Sequence, residues 1–312
     1  MFESHLPVLC SEFLSFFRGQ RVRFFVDGTV GGGGHSEALL HEHPELEVLI
    51  GIDRDPRACS LARERLRPWG EKVFIYEDSY EFIGRYLQEH QISCVDGILL
   101  DLGVSSMQLD SPERGFSFSK EGPLDMRMSP SNPLTAEEIV NDWSEKELGK
   151  IFRDYGEERK WRRAVATIVA ARREERIVTT GQLAALLEKS LKRNPRKPIH
   201  PATRIFQALR ICVNEELGIL TRALGHSLDL LCPGGRMAVI SFHSLEDRLT
   251  KNAFRKAASD KQNTSGLGGL FLDKEPLVKI LTKKPVEATN EEMNENPRCR
   301  SAKMRVVERI GR

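Results

Sequence analysis

The chain opens with short apolar runs separated by amphipathic stretches. Val22–Val26 is the first run and ends in Asp27 and a cluster of glycines. A helical pattern follows from about His35 to His43. Val48–Ile52 is a second run, closed by Asp53, with Pro56 where the first turn of a helix tolerates proline. Val73–Tyr76 and Val95–Leu100 are the third and fourth, the latter ending in Asp101. Buried runs with helices between them predict an α/β fold, a parallel sheet covered on both faces. The alternation breaks over 107–205, which holds no convincing strand but several helix starts. Thr135 with Glu138 and Ser144 with Glu147 fit the capping box. Apolar residues from Ile205 to Leu224 then predict one long amphipathic helix, ended by Pro233-Gly234-Gly235. Met237–Phe242 is a fifth strand, and Ser244 with Asp247 predicts a capped helix after it. A loop over 259–269 and strands at Val278–Leu281 and Met304–Val307 complete the pattern. The expected domains are a sheet domain, 1–106 with 206–312, and an inserted all-helical domain, 107–205.

Composition narrows the class. The chain has 312 residues, 40% of them hydrophobic and 29% charged, enough to bury a full core. No stretch approaches the ~20 apolar residues of a membrane span, and the N-terminus lacks the basic start of a signal peptide. A cytoplasmic protein with no membrane partner is expected. The cysteines at 10, 59, 94, 212, 232 and 299 form no C-x-x-C pair or zinc spacing, so reduced thiols and no metal site are expected. The net charge of +2 announces no polyanionic partner. Local clusters do: 189–204 reads KSLKRNPRKPIHPATR without an acid, and Arg159, Lys160, Arg162, Arg163, Arg172, Arg173 and Arg176 crowd an earlier stretch. Such clusters suit phosphate contacts. A solvated helix face is the competing reading, stronger for the earlier cluster because Glu157, Glu158, Glu174 and Glu175 lie within it.

The sharpest local chemistry is FFVDGTVGGGGHS, residues 24–36, a strand entering a glycine-rich turn that opens a helix. Glycines let a ligand approach the backbone, and the helix start offers free N–H groups. Asp27 before the glycines repels a pyrophosphate but suits the ammonium of S-adenosylmethionine (SAM). Asp53, about 20 residues on, suits the ribose hydroxyls. The bland readings are a turn-forming Asp27 and a helix-capping Asp53. Tyr80 stands where an aromatic could stack on adenine, with Asp78 or Ser79 bonding its amino group; a helix cap with a packed aromatic fits equally well. Asp101 ends the fourth strand, where ligands of open α/β sheets bind. An acceptor oxygen there can bond an amino N–H, although the Pro-Pro-aromatic that often follows it in amino-group methyltransferases is missing. His243 follows the fifth strand and could take a proton near neutral pH. Asp101 and His243 are the catalytic candidates.

Several stretches together are far more specific: HLPVL (5–9), VDGTVGGGGHS (26–36), GIDRDP (51–56), GILLDLGVSSMQLD (97–110), RGFSF (114–118) and GPLDMRM (122–128). To these add YGEER (155–159), HPATRIFQALRICVNEEL (200–217), PGGRMAVISFHSLEDR (233–248) and NPRCRSAKMR (296–305). This set resembles the bacterial RsmH (MraW) family, which N4-methylates one cytidine in the decoding region of 16S ribosomal RNA. The resemblance implies a Rossmann-like class I methyltransferase sheet, SAM as cofactor and 16S rRNA within the small ribosomal subunit as partner. It implies SAM contacts at Gly33, Gly34, His35, Asp53, Tyr80, Asp101 and Gln108. Neither His35 nor Gln108 is suggested by the residues alone. Val30 and Gly32 depart from the family's usual aromatic and varied residue, which would loosen the loop without removing a contact. A dehydrogenase is the competing enzyme, disfavoured by Asp27 and by the lack of a clean G-x-G-x-x-G. A non-catalytic, SAM-holding assembly factor and a methyltransferase for another nucleic acid also compete. The oligomeric state, a homodimer included, is not fixed by the sequence.

Overall fold

The computed structural model describes residues 7–191, 200–263 and 271–311. The start of HLPVL, positions 192–199 of the basic stretch and most of the 259–269 loop lie outside the described residues. The chain divides into two compact units, 1–103 with 217–312 and 104–216.

The first unit is built on a seven-stranded sheet. Its parallel strands are β1 (Phe24–Asp27), β2 (Val48–Asp53), β3 (Val73–Glu77), β4 (Val95–Asp101) and β5 (Leu231–Ser241). A short antiparallel ribbon, β6 (Lys261–Asn263) with β7 (Phe271–Asp273), stands apart from the sheet. The last strands are β8 (Val278–Ile280) and β9 (Lys303–Arg309), and β9 runs antiparallel between β5 and β8. The spatial order β3-β2-β1-β4-β5-β9-β8 reverses direction of winding beside β1. That is the doubly wound arrangement, whose ligands bind beyond the carboxyl ends of the strands at the switch point.

The sheet's two faces follow from strand alternation. Phe25, Leu49, Leu99, Ala238, Ile240, Met304 and Val306 join one core, with Phe13, Phe17 and Leu39 from helices Cys10–Phe17 and Gly34–Glu42. Their neighbours Val26, Ile50, Ile98, Leu100, Met237, Val239 and Val307 join the other. Helices Ile83–Glu89, Glu216–Ser227 and Ser244–Ala258 cover that second face through Leu87, Leu220, Leu224 and Phe254. Ile98, Leu99 and Leu100 are consecutive and wholly buried, as a central parallel strand requires.

Three sequence expectations change here. Pro233-Gly234-Gly235 lies inside β5, not before it: β4 and β5 pair at Val95–Leu231 and again at Gly97–Arg236, so the intervening turn bulges out of register. Gly234, at φ +81, supplies the left-handed turn residue. Beside that bulge Cys94 and Cys232 form a disulfide, where free thiols are expected from the sequence. The cysteines are 138 residues apart, and only the adjacency of β4 and β5 brings their Cα atoms to 5.0 Å. Finally, the apolar stripe from Ile205 to Leu224 is two helices, Thr203–Asn214 and Glu216–Ser227, broken by Glu215 at φ +53.

The second unit is helical. Its core gathers Ile139, Val140, Leu148, Phe152, Val165, Ile168, Leu183 and Leu187 from successive helices. Ile205, Leu209 and Val213 also belong to this core, so helix Thr203–Asn214 is part of the 104–216 unit, where the sequence pattern assigns 206 onward to the sheet domain. The capping boxes at Thr135–Glu138 and Ser144–Glu147 are both formed. An irregular stretch is pinned to this core by polar bonds. Asn214 Nδ2 donates to the Met126 carbonyl and its Oδ1 accepts from Met128 N, both at 2.8 Å. Arg127 grips Asp125 with two guanidinium bonds, and Gly115 at φ +70 sits where a Cβ would strike the Pro123 carbonyl.

Candidate functional site

The carboxyl ends of β1, β2 and β4 each finish in an aspartate, and the intervening turns are laced to them. Asp27 is 1% exposed. Its Oδ2 accepts from Ser36 Oγ at 2.7 Å and its Oδ1 from Thr29 N at 3.2 Å. The glycine loop then crosses to β2, where Gly31 N donates to Asp53 Oδ2 at 2.9 Å. Asp53 Oδ1 accepts from Asp55 N, and Asp55, not Asp53, caps the helix Pro56–Arg65. Thr29 Oγ1 accepts from Asp101 N at 2.6 Å, tying the same loop to β4.

Two glycines owe their identity to this geometry. Gly33, at φ +82, is the cap of helix Gly34–Glu42, and a Cβ there would press on Leu66 and Ala62. A Cβ at Gly28 would lie 2.5 Å from Leu100 and 2.9 Å from Tyr80. Val30 is buried against Gly51 and Gly32 faces open space, so the two departures within the loop have different consequences. Gly34 opens the helix and His35 stands in its first turn. His35 Nε2 donates to the Val8 carbonyl at 2.8 Å, which turns its Nδ1 toward Asp101 Oδ2 at 3.6 Å.

The electrostatics of this end are unusual. Burial pushes the carboxyls of Asp27 and Asp53 from 3.8 up to about 6, against the lowering effect of their hydrogen bonds. Burial pushes Asp101 well above the usual carboxylate range, and the charges of Asp27 and Glu246 push it further. Asp101 Oδ1 is buried with no hydrogen-bond partner among the described residues. These carboxylates lack the counter-charge that would favour their ionised forms. SAM offers an ammonium, a sulfonium and a ribose diol. The donor set therefore fits it, and fits a pyrophosphate poorly.

The remaining expected residues divide. Tyr80 begins a short 3-10 turn after β3, half-buried, with its Cβ close to Gly28. Asp78, an adenine candidate, is engaged locally: Oδ2 accepts from the Tyr86 hydroxyl and Oδ1 from Ser79 N. Ser79 caps the 3-10 turn. His243, not Ser244, caps helix Ser244–Ala258, with Glu246 completing the capping box, so the expected Ser244–Asp247 box is displaced by one residue. His243 Nδ1 accepts from Glu246 N at 3.4 Å, and its Nε2 lies 3.1 Å from Glu246 Oε1. Glu246, 2% exposed, also accepts from the backbone N–H groups of Phe242 and His243. Asp247 instead binds Arg305 of β9. Glu246 is not among the residues expected from the sequence; its capping-box spacing from His243 is the signal that could have found it. Gln108 lies in the second unit, buried in a capping box in which its Oε1 accepts from Ser105 N.

Comparison with known proteins agrees with this geometry. The MraW methylase family matches residues 2–310. The chain is 54% identical over 310 residues to ribosomal RNA small subunit methyltransferase H of Protochlamydia amoebophila, covering 99% of this chain and 98% of that protein. It is 47% identical over 308 residues to the protein of the same name from Geobacter sulfurreducens, covering 98% and 99%. The corresponding protein of Halothermothrix orenii is 44% identical over 307 residues, covering 98% of each chain. Matched over nearly its full length by both the family and these relatives, the chain belongs to the MraW methylase family.

Proposed function

We propose that this protein is a SAM-dependent methyltransferase that methylates the N4 amino group of one cytidine in 16S rRNA of the small ribosomal subunit. The observation that carries the reading is the set of buried, charge-deficient carboxylates at the ends of β1, β2 and β4. In the proposal Asp27 faces the ammonium, Asp53 takes the ribose hydroxyls, and Tyr80 stacks on adenine. Gly33, Gly34 and His35 line the methionine end, and Gln108 is a further proposed SAM contact.

Bound SAM supplies a methyl group on a sulfonium, already electrophilic. The protein's work is alignment and exclusion of water. The exocyclic amino nitrogen would form the new N–CH3 bond as the S–CH3 bond breaks with its electron pair going to sulfur, S-adenosylhomocysteine would leave, and the nitrogen would shed one proton. Asp101 Oδ1 is a buried acceptor with no other partner among the described residues, which suits it to hold that N–H and receive its proton. We take Asp101 and not His243 as the first acceptor, because the unpartnered His243 Nε2 lies against Glu246 Oε1 at 3.1 Å. Both ring nitrogens of His243 face Glu246, which suits positioning of the strand end. The helical unit, 104–216, is assigned to RNA recognition, and the target base must leave its stack to reach the site.

The test uses methyl-labelled SAM with unmethylated small subunits, naked 16S rRNA and DNA. Label in ribosomal RNA alone, lost in Asp101→Ala while RNA binding survives, is the expected result. Binding of SAM with no transfer to any substrate would favour an assembly factor. Stabilisation by NADH instead of SAM would favour a dehydrogenase.

A further inference from the structure

The two halves of the basic stretch in the helical unit differ in what their cations do. At the far end of helix Trp161–Glu174 and just beyond it, the cations are committed to the fold. Arg172 donates to the Val140 carbonyl at 2.8 Å, and Arg176 bonds Glu137 and Asp142 at 2.8–3.0 Å. Arg173 lies 4.0 Å from Glu145. At the near end, Arg159, Arg162 and Arg163 are exposed and have no acidic partner or side-chain hydrogen bond among the described residues. The first turn of the helix holds no acid.

The acids nearby do not neutralise them. Asp154 is bound by both donors of Arg153. Glu158, 13% exposed, accepts from Lys160 N and lies 4.0 Å from Arg204, which also donates to the Glu157 carbonyl. Glu157 is the remaining acid of the turn. Lys160 donates to the Leu191 carbonyl at 2.9 Å and so is committed to the fold. The Arg162 guanidinium carbon lies over the Trp161 ring, 4.3 Å from its centroid, and the ring in turn packs against Gly149. Stacking orders a guanidinium while leaving its N–H edge free for phosphate oxygens. Unpaired like charges cost stability in the free protein, and a polyanion removes that cost.

We propose that Arg159, Arg162 and Arg163, with Trp161 as the support of Arg162, form the face of the helical unit that docks the sugar-phosphate backbone of the substrate RNA. The inference rests on the RNA methyltransferase reading and adds the docking surface to it. Contacts of this kind position the RNA without reading its bases. They govern substrate affinity and its salt dependence, not the chemical step.

The test measures methyl transfer to unmethylated small ribosomal subunits between ~50 and ~200 mM salt, where counterion release makes affinity steeply salt-dependent. In the triple variant R159Q/R162Q/R163Q, KM for subunits should rise ~10–100-fold with kcat within ~3-fold, and the log–log salt slope should fall by ~2. Binding of S-adenosylhomocysteine should match the wild type, and the melting temperature should not fall below it. Arg159→Gln alone, outside the helix, should lower the slope by ~0.7, and R162K/R163K should keep it. A control on the sheet unit, K251Q/R255Q/K256Q, removes equal charge and should leave the slope unchanged. A triple variant with wild-type KM and slope, or a control with the same loss, would overturn the proposal. Wild-type protein that transfers no methyl to subunits or their RNA would instead overturn the functional reading, and this face with it.

Discussion

Replacing Asp27 by Asn separates a ligand-binding carboxylate from a turn residue. The side chain is buried, and burial lifts its carboxyl from 3.8 to about 6. At ~1.4 kcal/mol per pKa unit, the ionised form costs the free protein ~3 kcal/mol at neutral pH. The folded pKa lies above the unfolded one, so this group's stabilising contribution is complete below pH ~4 and is lost as pH rises through ~6. Asn removes that cost but keeps only one acceptor oxygen for two donors, Ser36 Oγ and Thr29 N. The lost bond costs ~1–2 kcal/mol. Asp27→Asn should therefore melt higher than wild type at pH 7.5, by ~1–2 kcal/mol or a few degrees, and lower at pH 4.5. Its SAM affinity should fall by ~2–4 kcal/mol, some 30- to 1000-fold, because a charged partner is lost in a desolvated site. Thermal melts at the two pH values and calorimetry with SAM read both quantities. A variant that is destabilised equally at both pH values, with SAM affinity intact, would refute the reasoning and make Asp27 a turn residue.

Other perturbations follow from the same geometry. Gly28→Ala puts a Cβ 2.5 Å from Leu100 and 2.9 Å from Tyr80; ~1–3 kcal/mol of lost stability and weaker SAM binding are expected, read by melting and calorimetry. Glu246→Ala strands the N–H groups of Phe242 and His243. It should cost ~1–3 kcal/mol in denaturant titration, with Glu246→Gln recovering most of it. Breaking the Cys94–Cys232 disulfide opens a loop of 138 residues in the unfolded chain. The chain-entropy ceiling for this is ~5 kcal/mol, so reductant or C94S/C232S should lower the melting temperature of the protein. A melt indifferent to reductant would count against the bond.

What the sequence revealed and what it hid have a common physical basis. β1, β2 and β4 are mostly buried runs ended by Asp, and β3, at the sheet edge, is a half-buried run ended by Glu; their limits agree with the expected ones to within about two residues, inside the usual scatter of element ends. The aspartates at 27, 53 and 101 were legible because strand ends are where ligands of such sheets bind. Their shared lack of counter-charge was not legible, since it depends on β1 lying between β2 and β4. The disulfide was hidden for the same reason: strand adjacency joins cysteines that no local spacing relates. Glu215 shows the opposite limit. One residue in the left-handed region divides an unbroken apolar stripe, and hydrophobic period alone does not register it. At His243 the cap frame moved by one because a histidine ring nitrogen served as the acceptor that Ser244 was expected to supply. The two ends of the 159–176 stretch look alike in composition, and only their partners distinguish a structural group from an uncommitted one.

The central claim is that this crevice delivers a methyl group to a cytidine amino nitrogen. Its most direct test is transfer from deuterated-methyl SAM to unmethylated small subunits, followed by nuclease digestion and mass spectrometry of the nucleosides and fragments. The account predicts label in N4-methylcytidine at one site in the decoding region. Label on a ring carbon, on a ribose oxygen or at scattered sites would contradict it.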